Sequence, residues 1–258
     1  MCAEELLSKL KEQYLEKLRK CLGKIDDYKA QALCKTFDLL YDYLSLKHKE
    51  KIRQILCKYI KRIEEDSCSS ILRRFLMDYI VQAFSRDSFR VIDVGCGWGR
   101  YLAQLYYDNH HLVGIDIDII SLKIVKKHLP NVDIVCCDCS RLPLRGRCAD
   151  FVICIGVLHE LGNKRTLAVS EIFRILKPAK ITIIWDVCFP SLLHKVAYII
   201  KENTKKIFRR KADLEPIPVF REVKRILSQY GHILFVDTFR KLFESTEIYL
   251  VVAVKGLQ

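Results

Sequence analysis

The 258-residue chain is long enough for one α/β domain with a smaller appendage, and too short for two ordinary enzyme domains. Hydrophobic residues make up 50% of it and charged residues 29%, which excludes a disordered or low-complexity protein. The net charge is +13, from 44 basic against 31 acidic residues, so an anionic partner has to be considered.

The N-terminal third of the chain carries the 3.6-residue hydrophobic period of amphipathic helices. This period predicts four helices, whose apolar faces fall within residues 7–22, 33–44, 52–63 and 71–80. Gly23 with Asp26 separates the first helix from the second, and a polar run separates the second from the third. We therefore predict an all-helical N-terminal region at residues 1–86.

From residue 89 onward, short apolar segments alternate with helical ones. Strands are predicted at 89–94, 111–117, 132–137, 151–155 and 181–185, with helices at 100–107, 120–128 and 164–176. This alternation predicts a parallel sheet wound on both faces, in an α/β domain at residues 87–258. A helix at 220–230 and strands at 232–238 and 247–254 end the chain, and the short link between these strands permits only an antiparallel hairpin at one sheet edge.

A glycine-rich loop follows the first predicted strand. It reads Asp93-Val-Gly95-Cys96-Gly97-Trp-Gly99, and a helix begins directly after it. Glycines at such a junction let the backbone approach a ligand closely at the carboxyl edge of the sheet. The dinucleotide pattern Gly-x-Gly-x-x-Gly is not met, because the third glycine comes one place early, and NAD binding is therefore disfavoured.

Acidic residues end the next two predicted strands. Asp116 is placed to accept both hydroxyls of a ribose, and Ile117 beside it to cover an adenine face. Asp138 is placed to accept a hydrogen bond from an exocyclic adenine amine. Together with the glycine loop, these residues predict a site for an adenosyl ligand at neighbouring strand ends.

These motifs resemble those of the class I S-adenosylmethionine-dependent methyltransferases with a type 11 methyltransferase domain, over about residues 89–254. The resemblance implies a Rossmann-like sheet of seven strands and S-adenosyl-L-methionine as the cofactor. One departure is that Ala179-Lys180 follows Pro178, where the family usually has Gly-Gly. The cofactor-binding set that the resemblance implies is Asp93, Gly95, Cys96, Gly97, Gly99, Asp116, Ile117, Asp138, Cys139, Cys154 and Ile155.

Methyl transfer from a sulfonium requires that donor and acceptor be held in line, with a base where the acceptor carries a proton. His159 follows the fourth strand and is the best candidate for this base, and a helix-capping or core role is the alternative. Asp186 ends the fifth strand and is a candidate for acceptor contacts. The chain has no Asn/Asp-Pro-Pro-Tyr/Phe turn after strand four and no Pro-Cys dipeptide, which disfavours exocyclic-amine and cytosine-carbon methylation.

The densest positive charge lies in a predicted insertion at about 186–219. Seven basic residues between 195 and 211 are accompanied there only by Glu202. Such a block is typical of phosphate binding, and a solvated helix face is the alternative. The predicted substrate-binding residues of this block are Lys201, Lys205, Lys206, Arg209 and Arg210.

Three hypotheses about function stay open. The stretch from His159 to Ala168 is also similar to the tRNA wobble-uridine carboxymethyl methyltransferases, so an RNA methyltransferase acting on tRNA or another polyanion is favoured narrowly. A metabolite methyltransferase, with the helices as a lid over a small or lipid-like acceptor, is the second. A non-catalytic partner subunit that has kept the fold is the third, and the complete glycine loop argues against it.

Location and metal content complete the predictions. The first residues lack the pattern of a signal peptide, and no apolar stretch is long enough to span a membrane, so we expect a cytoplasmic protein. The one Cys-x-x-Cys, Cys136 to Cys139, has no partner pair at zinc-site spacing, so no metal is predicted. A disulfide between Cys139 and Cys148 is conceivable only if the source is a hyperthermophile. The sequence does not identify an activating protein partner.

Overall fold

The computed structural model describes residues 2–22, 27–65, 89–106, 110–189, 218–240 and 247–256. The chain divides into two compact units, Met1–Cys136 and Cys137–Gln258. The fourth predicted helix, at 71–80, and the basic block at 195–211 lie outside the described residues.

The N-terminal helices of the first unit are α1 (Ala3–Leu22), α2 (Asp27–Lys47) and α3 (Ile52–Glu65), which confirms three of the four predicted helices. A single 3-10 turn, Lys49–Lys51, joins α2 to α3. Their apolar faces form one buried cluster, because the residues spaced three or four apart on each helix point inward. The cluster includes Leu6, Leu10, Leu18, Leu33, Leu40, Leu56 and Ile60.

The first unit also contains strands β1 (Arg90–Val94), β2 (His111–Asp116) and β3 (Asp133–Cys136), and helices α4 (Arg100–Leu105) and α5 (Ile119–His128). The three strands pair in parallel, with β2 in the middle. Helix α2 packs on α4 and α5. Inside this contact, the buried Gln104 side chain donates a hydrogen bond of 2.7 Å to Thr36 Oγ1. The N-terminal helices are therefore built into the same compact unit as the first strands.

The second unit contains the remaining strands and helices. In chain order they are β4 (Ala149–Ile155), a 3-10 turn (Gly162–Lys164), α6 (Arg165–Ile175), β5 (Leu176–Cys188), α7 (Phe220–Tyr230), β6 (Gly231–Arg240) and β7 (Glu247–Lys255). Strands β4 and β5 are parallel, and β7 is antiparallel to both β5 and β6. The edge hairpin predicted from the short final link is thus confirmed.

The seven strands have the order β3-β2-β1-β4-β5-β7-β6 in one mixed sheet, so the predicted α/β fold with its N-terminal helices is confirmed. Strand β5 begins five residues earlier than predicted, because Leu176 already pairs with Ala149 ahead of the regular ladder from Phe151–Ile181. Ala179 lies in this early part with φ of +58°, a left-handed conformation that the prediction did not include. No described helix is long and apolar enough to cross a membrane.

Candidate active site

The glycine loop between β1 and α4 depends on backbone conformations that favour glycine. Gly95, Gly97 and Gly99 have φ values of 75°, 51° and 87°. A Cβ on Gly99 would lie 2.8 Å from Val125 Cγ2, so this glycine also permits close packing on α5. At Gly97 no atom lies within 4 Å of the Cβ position, and the loop therefore faces open space there. This room beside the backbone is what the close approach of a ligand requires.

Asp116, at the end of β2, binds the glycine loop directly. Its Oδ2 accepts a hydrogen bond of 2.7 Å from the Gly97 amide, and its Oδ1 accepts one of 2.8 Å from the Asp118 amide. The amides of Gly95 and Cys96 both donate to the Ile115 carbonyl, at 2.7 and 2.9 Å. A carboxylate has about four lone-pair sites, so Asp116 retains capacity for further donors. The structure thus brings the predicted loop and the predicted acid together.

Asp93, in β1, is the buried acid beneath this loop. It is 1% exposed, and its Oδ2 has no hydrogen-bond partner. Burial, followed by repulsion from Asp116, raises the pKa of Asp93 to about 8. Burial and the same two carboxylates raise the pKa of the Cys96 thiol well above its usual value, which leaves that thiol unreactive. An unsatisfied buried oxygen is costly, and a bound polar ligand is one means of satisfying it.

Ile117 follows Asp116 and is 73% exposed. Ile119 and Ile120, at the start of α5, are also exposed, at 47% and 38%. Asp118 begins that helix, because its Oδ1 accepts a hydrogen bond of 3.2 Å from the Ile120 amide. An apolar surface therefore lies beside the acid that ends β2, in agreement with the position predicted for Ile117.

Asp138, in the second unit, is tied to a residue that the sequence prediction did not connect with it. Its Oδ2 accepts a hydrogen bond of 2.8 Å from Lys164 Nζ, and its Oδ1 accepts one of 2.9 Å from the Ser140 amide. The hydrogen bond from Lys164, and then those from Ser140, lower the pKa of Asp138 to about 2. Asp138 is therefore an ionised acceptor, and a further donor would have to share it with Lys164.

His159 and Asp186 form a short contact at the carboxyl ends of β4 and β5. The distance from His159 Nδ1 to Asp186 Oδ1 is 2.6 Å, and the His159 amide donates to Asp186 Oδ2 at 3.0 Å. The Val187 amide donates to Asp186 Oδ1 at 2.6 Å. Asp186 is buried, whereas the imidazole is 16% exposed and its Nε2 lies 3.7 Å from Glu160 Oε1.

The proton on the imidazole can be assigned from this contact. A carboxylate only accepts hydrogen bonds, so the proton of neutral His159 lies on Nδ1 and the lone pair on Nε2. Such a pair holds the ring in one orientation and strengthens Nε2 as a base. The predicted base and the predicted acceptor-contact residue are therefore direct partners, which their separation of 27 positions in sequence did not reveal.

Two further side chains fix the loops of the second unit. Arg165, 4% exposed, donates to the Leu158 carbonyl at 2.9 Å and to Glu222 Oε1 at 2.6 Å, and so holds the turn just before His159. Arg174 contacts both oxygens of Glu171 at 2.6 and 2.8 Å and also donates to the carbonyls of the 142–144 loop. The sequence signal for both was only an arginine placed within an amphipathic helix.

The remaining predicted residues are less informative. Cys139 and Cys154 are buried and Ile155 is half-buried, so the two thiols have little surface for a ligand. Cys139 and Cys148 are both free thiols, which contradicts a disulfide between them. Among the described residues, no group of three or more His, Cys, Asp or Glu is arranged to hold a metal ion. The predicted substrate residues Lys201, Lys205, Lys206, Arg209 and Arg210 lie outside the described ranges.

Comparison with known proteins extends these observations. The family model described as a methyltransferase domain matches residues 92–184. An uncharacterized methyltransferase of Schizosaccharomyces pombe is 24% identical over 178 residues, which cover 66% of this chain and 70% of that protein. Probable tRNA methyltransferase 9B of Mus musculus is 27% identical over 137 residues, or 52% of this chain and 28% of that protein. The structure of a SAM-dependent methyltransferase from Methanosarcina mazei superposes with a TM-score of 0.56 at 17% identity, covering 69% of this chain and 98% of that one.

Proposed function

Because the chain belongs to the class I S-adenosylmethionine-dependent methyltransferases, we propose that its glycine loop and Asp116 bind S-adenosyl-L-methionine. The observation that carries this proposal is the hydrogen bond from the Gly97 amide to Asp116 Oδ2, which joins the open backbone of the loop to the acid. The cofactor supplies an electrophilic methyl group on its sulfonium. The residues of the chain have to bind it and hold an acceptor in line with that methyl group.

The residues of the first unit fit such a cofactor. Gly97 has open space at its Cβ position, Asp116 retains lone pairs for ribose hydroxyls, and Asp93 has an unsatisfied buried oxygen. The exposed Ile117 offers an apolar face for the adenine ring. In the second unit, the resemblance assigns Asp138 to the adenine amine, with Cys139, Cys154 and Ile155 as neighbouring contacts.

We further propose that His159 removes the acceptor's proton and that Asp186 positions it. The contact with Asp186 orients the imidazole and directs the lone pair of Nε2 away from the carboxylate. Asp186 is itself fixed by the amides of His159 and Val187, so the ring has little freedom to turn. Asp186 is therefore a positioning residue, and it acts on the acceptor through His159.

For the acceptor, we propose RNA, with tRNA as the leading class. The net charge of +13 and the dense basic block support a polyanionic substrate, and the name of the mouse relative refers to tRNA. Lys201, Lys205, Lys206, Arg209 and Arg210 are the proposed phosphate contacts, on the basis of their sequence alone. A small-molecule acceptor is the second proposal, because the first unit contains a cavity lined mainly by apolar and aromatic residues.

The cofactor proposal is tested by calorimetry with S-adenosylmethionine and its demethylated product. The Asp116→Ala variant should bind the cofactor at least about tenfold more weakly, because hydrogen bonds to a charged group contribute about 1.5 to 3 kcal/mol. The matched control is Asp133→Ala, which removes an aspartate that is 62% exposed on β3. Equal affinity of Asp116→Ala and Asp133→Ala would refute the assignment of Asp116.

The acceptor is tested with a radiolabelled methyl donor, offered with either total tRNA or a tRNA-free metabolite extract. Label in the tRNA, lost progressively with added salt, would support phosphate contacts. A variant with Lys205, Lys206, Arg209 and Arg210 changed to Gln should lower this labelling and leave cofactor affinity unchanged. Label that enters only the metabolite extract would refute the RNA proposal.

A further inference from the structure

A cavity of about 130 Å³ lies between the N-terminal helices and the glycine loop, entirely within the first unit. Trp98 and Arg100, on either side of Gly99, form one wall of it. Helices α1, α2 and α3 supply the other walls with Tyr14, Leu33, Thr36, Phe37, Leu40, Tyr59 and Ile63.

The size of the cavity limits its occupant to one ring. An engineered cavity of about 150 Å³ with apolar walls stays dry and binds benzene. The present cavity is of similar volume, so a single six-membered ring fills it and a fused ring system does not. Tyr59 is 37% exposed and lies at the rim, so the cavity is open to solvent on that side.

The lining is suited to an aromatic ring. Four of the nine lining residues are aromatic, and Tyr14 and Phe37 are in edge-to-face contact, with ring centroids 5.3 Å apart and an interplanar angle of 75°. This geometry is the preferred one for aromatic pairs, and a further ring extends it. Thr36 adds little polarity, because its hydroxyl donates to the Ala32 carbonyl at 2.9 Å and accepts from Gln104.

The charge of the lining selects the substituent on that ring. Arg100 is the charged residue among the nine, and the lining contains no acidic residue. Its guanidinium carbon lies 5.3 Å from the centroid of the Tyr101 ring, which places the cation beside an aromatic surface. We propose that this cavity binds a small aromatic carboxylate, with the ring among Tyr14, Phe37 and Trp98 and the carboxylate toward Arg100. The proposal does not depend on which acceptor is methylated.

The test uses Trp98 as the reporter of binding. The chain has two tryptophans, so the Trp185→Phe variant leaves Trp98 as the sole indole signal. Titration with phenylacetate should change its fluorescence saturably. Cyclohexylacetate should bind several-fold more weakly because it lacks an aromatic ring, and 2-phenylethanol at least tenfold more weakly because it lacks the charge. Saturation-transfer NMR on the natural sequence repeats the measurement should the Trp185→Phe protein not fold.

Variants identify the site. Arg100→Gln should weaken phenylacetate binding at least tenfold, and Tyr59→Ala several-fold, whereas Arg53→Gln, which changes an exposed arginine of α3 outside the lining, should not. Three outcomes would overturn the proposal. These are no saturable binding by either method, equal affinities for phenylacetate and 2-phenylethanol, and loss of phenylacetate binding at saturating S-adenosylmethionine, which would assign the cavity to the cofactor.

Discussion

The two units use buried aspartates in opposite ways. In the first unit, Asp93 has an oxygen without a partner, and Asp116 has lone pairs left after two backbone hydrogen bonds. In the second unit, Asp186 is surrounded by donors, because two amides and the His159 ring all lie within 3.0 Å of its oxygens. The first arrangement leaves hydrogen-bonding capacity for a ligand, whereas the second uses that capacity to hold one imidazole still. Binding and orientation are therefore separated between the two units.

The largest expected effect would break the second half of this comparison. His159→Ala should lower kcat for methyl transfer by about 10² to 10⁴, the usual contribution of a general base, and Asp186→Asn should lower it less. Asp186→Asn should also shift the pH at which the rate rises, because an amide does not fix the Nδ1 proton as a carboxylate does. The measurement is the pH dependence of kcat and kcat/KM with the acceptor identified by labelling.

The matched control for this prediction is His232→Ala, which removes an exposed histidine from β6. Its rate should equal that of the natural sequence. If His159→Ala and His232→Ala have the same kcat while both remain folded, His159 has a capping or core role and the second unit contributes no base.

The sequence was more informative about the first unit than about the second. The glycine loop was predictable because positive φ values restrict the residue type, and Gly95, Gly97 and Gly99 all have them. The strand order followed from the alternation of strands and helices, which chain connectivity restricts. The pairs His159 with Asp186 and Lys164 with Asp138 join residues 27 and 26 positions apart through side chains. No local pattern encodes such contacts, and these pairings were therefore not predicted.

A smaller effect should appear in the pH dependence of stability, and it would sharpen the first half of the comparison. The pKa of Asp93 is raised to about 8 in the folded chain, above the ordinary value of 3.8. Between about pH 4 and 8 the unfolded chain has lost this proton while the folded chain keeps it, so this group's contribution to stability falls as pH rises. The slope is at most about 1.4 kcal/mol for each pH unit.

Asp93→Asn should remove this slope. The free energy of unfolding of the variant minus that of the natural sequence should increase from pH 5 to pH 8 in denaturant titrations without cofactor. Asp133→Asn, at an exposed position, is the control and should give a constant difference. Parallel curves for the natural sequence and Asp93→Asn would mean that Asp93 is solvated or paired, and that the first unit holds no unsatisfied acid.

The smallest expected effect concerns backbone strain, in which the units also differ. In the described part of the first unit every residue with a left-handed φ is glycine, whereas in the second unit Arg147 and Ala179 have φ values of 56° and 58°. A left-handed conformation costs a residue with a Cβ about 1 to 2 kcal/mol, and glycine offsets part of this gain through its more flexible unfolded state. Ala179→Gly should therefore raise the free energy of unfolding by about 0.5 to 1 kcal/mol. Ala168→Gly, within helix α6, should lower it, so a matching decrease in both variants would show that Ala179 is not strained.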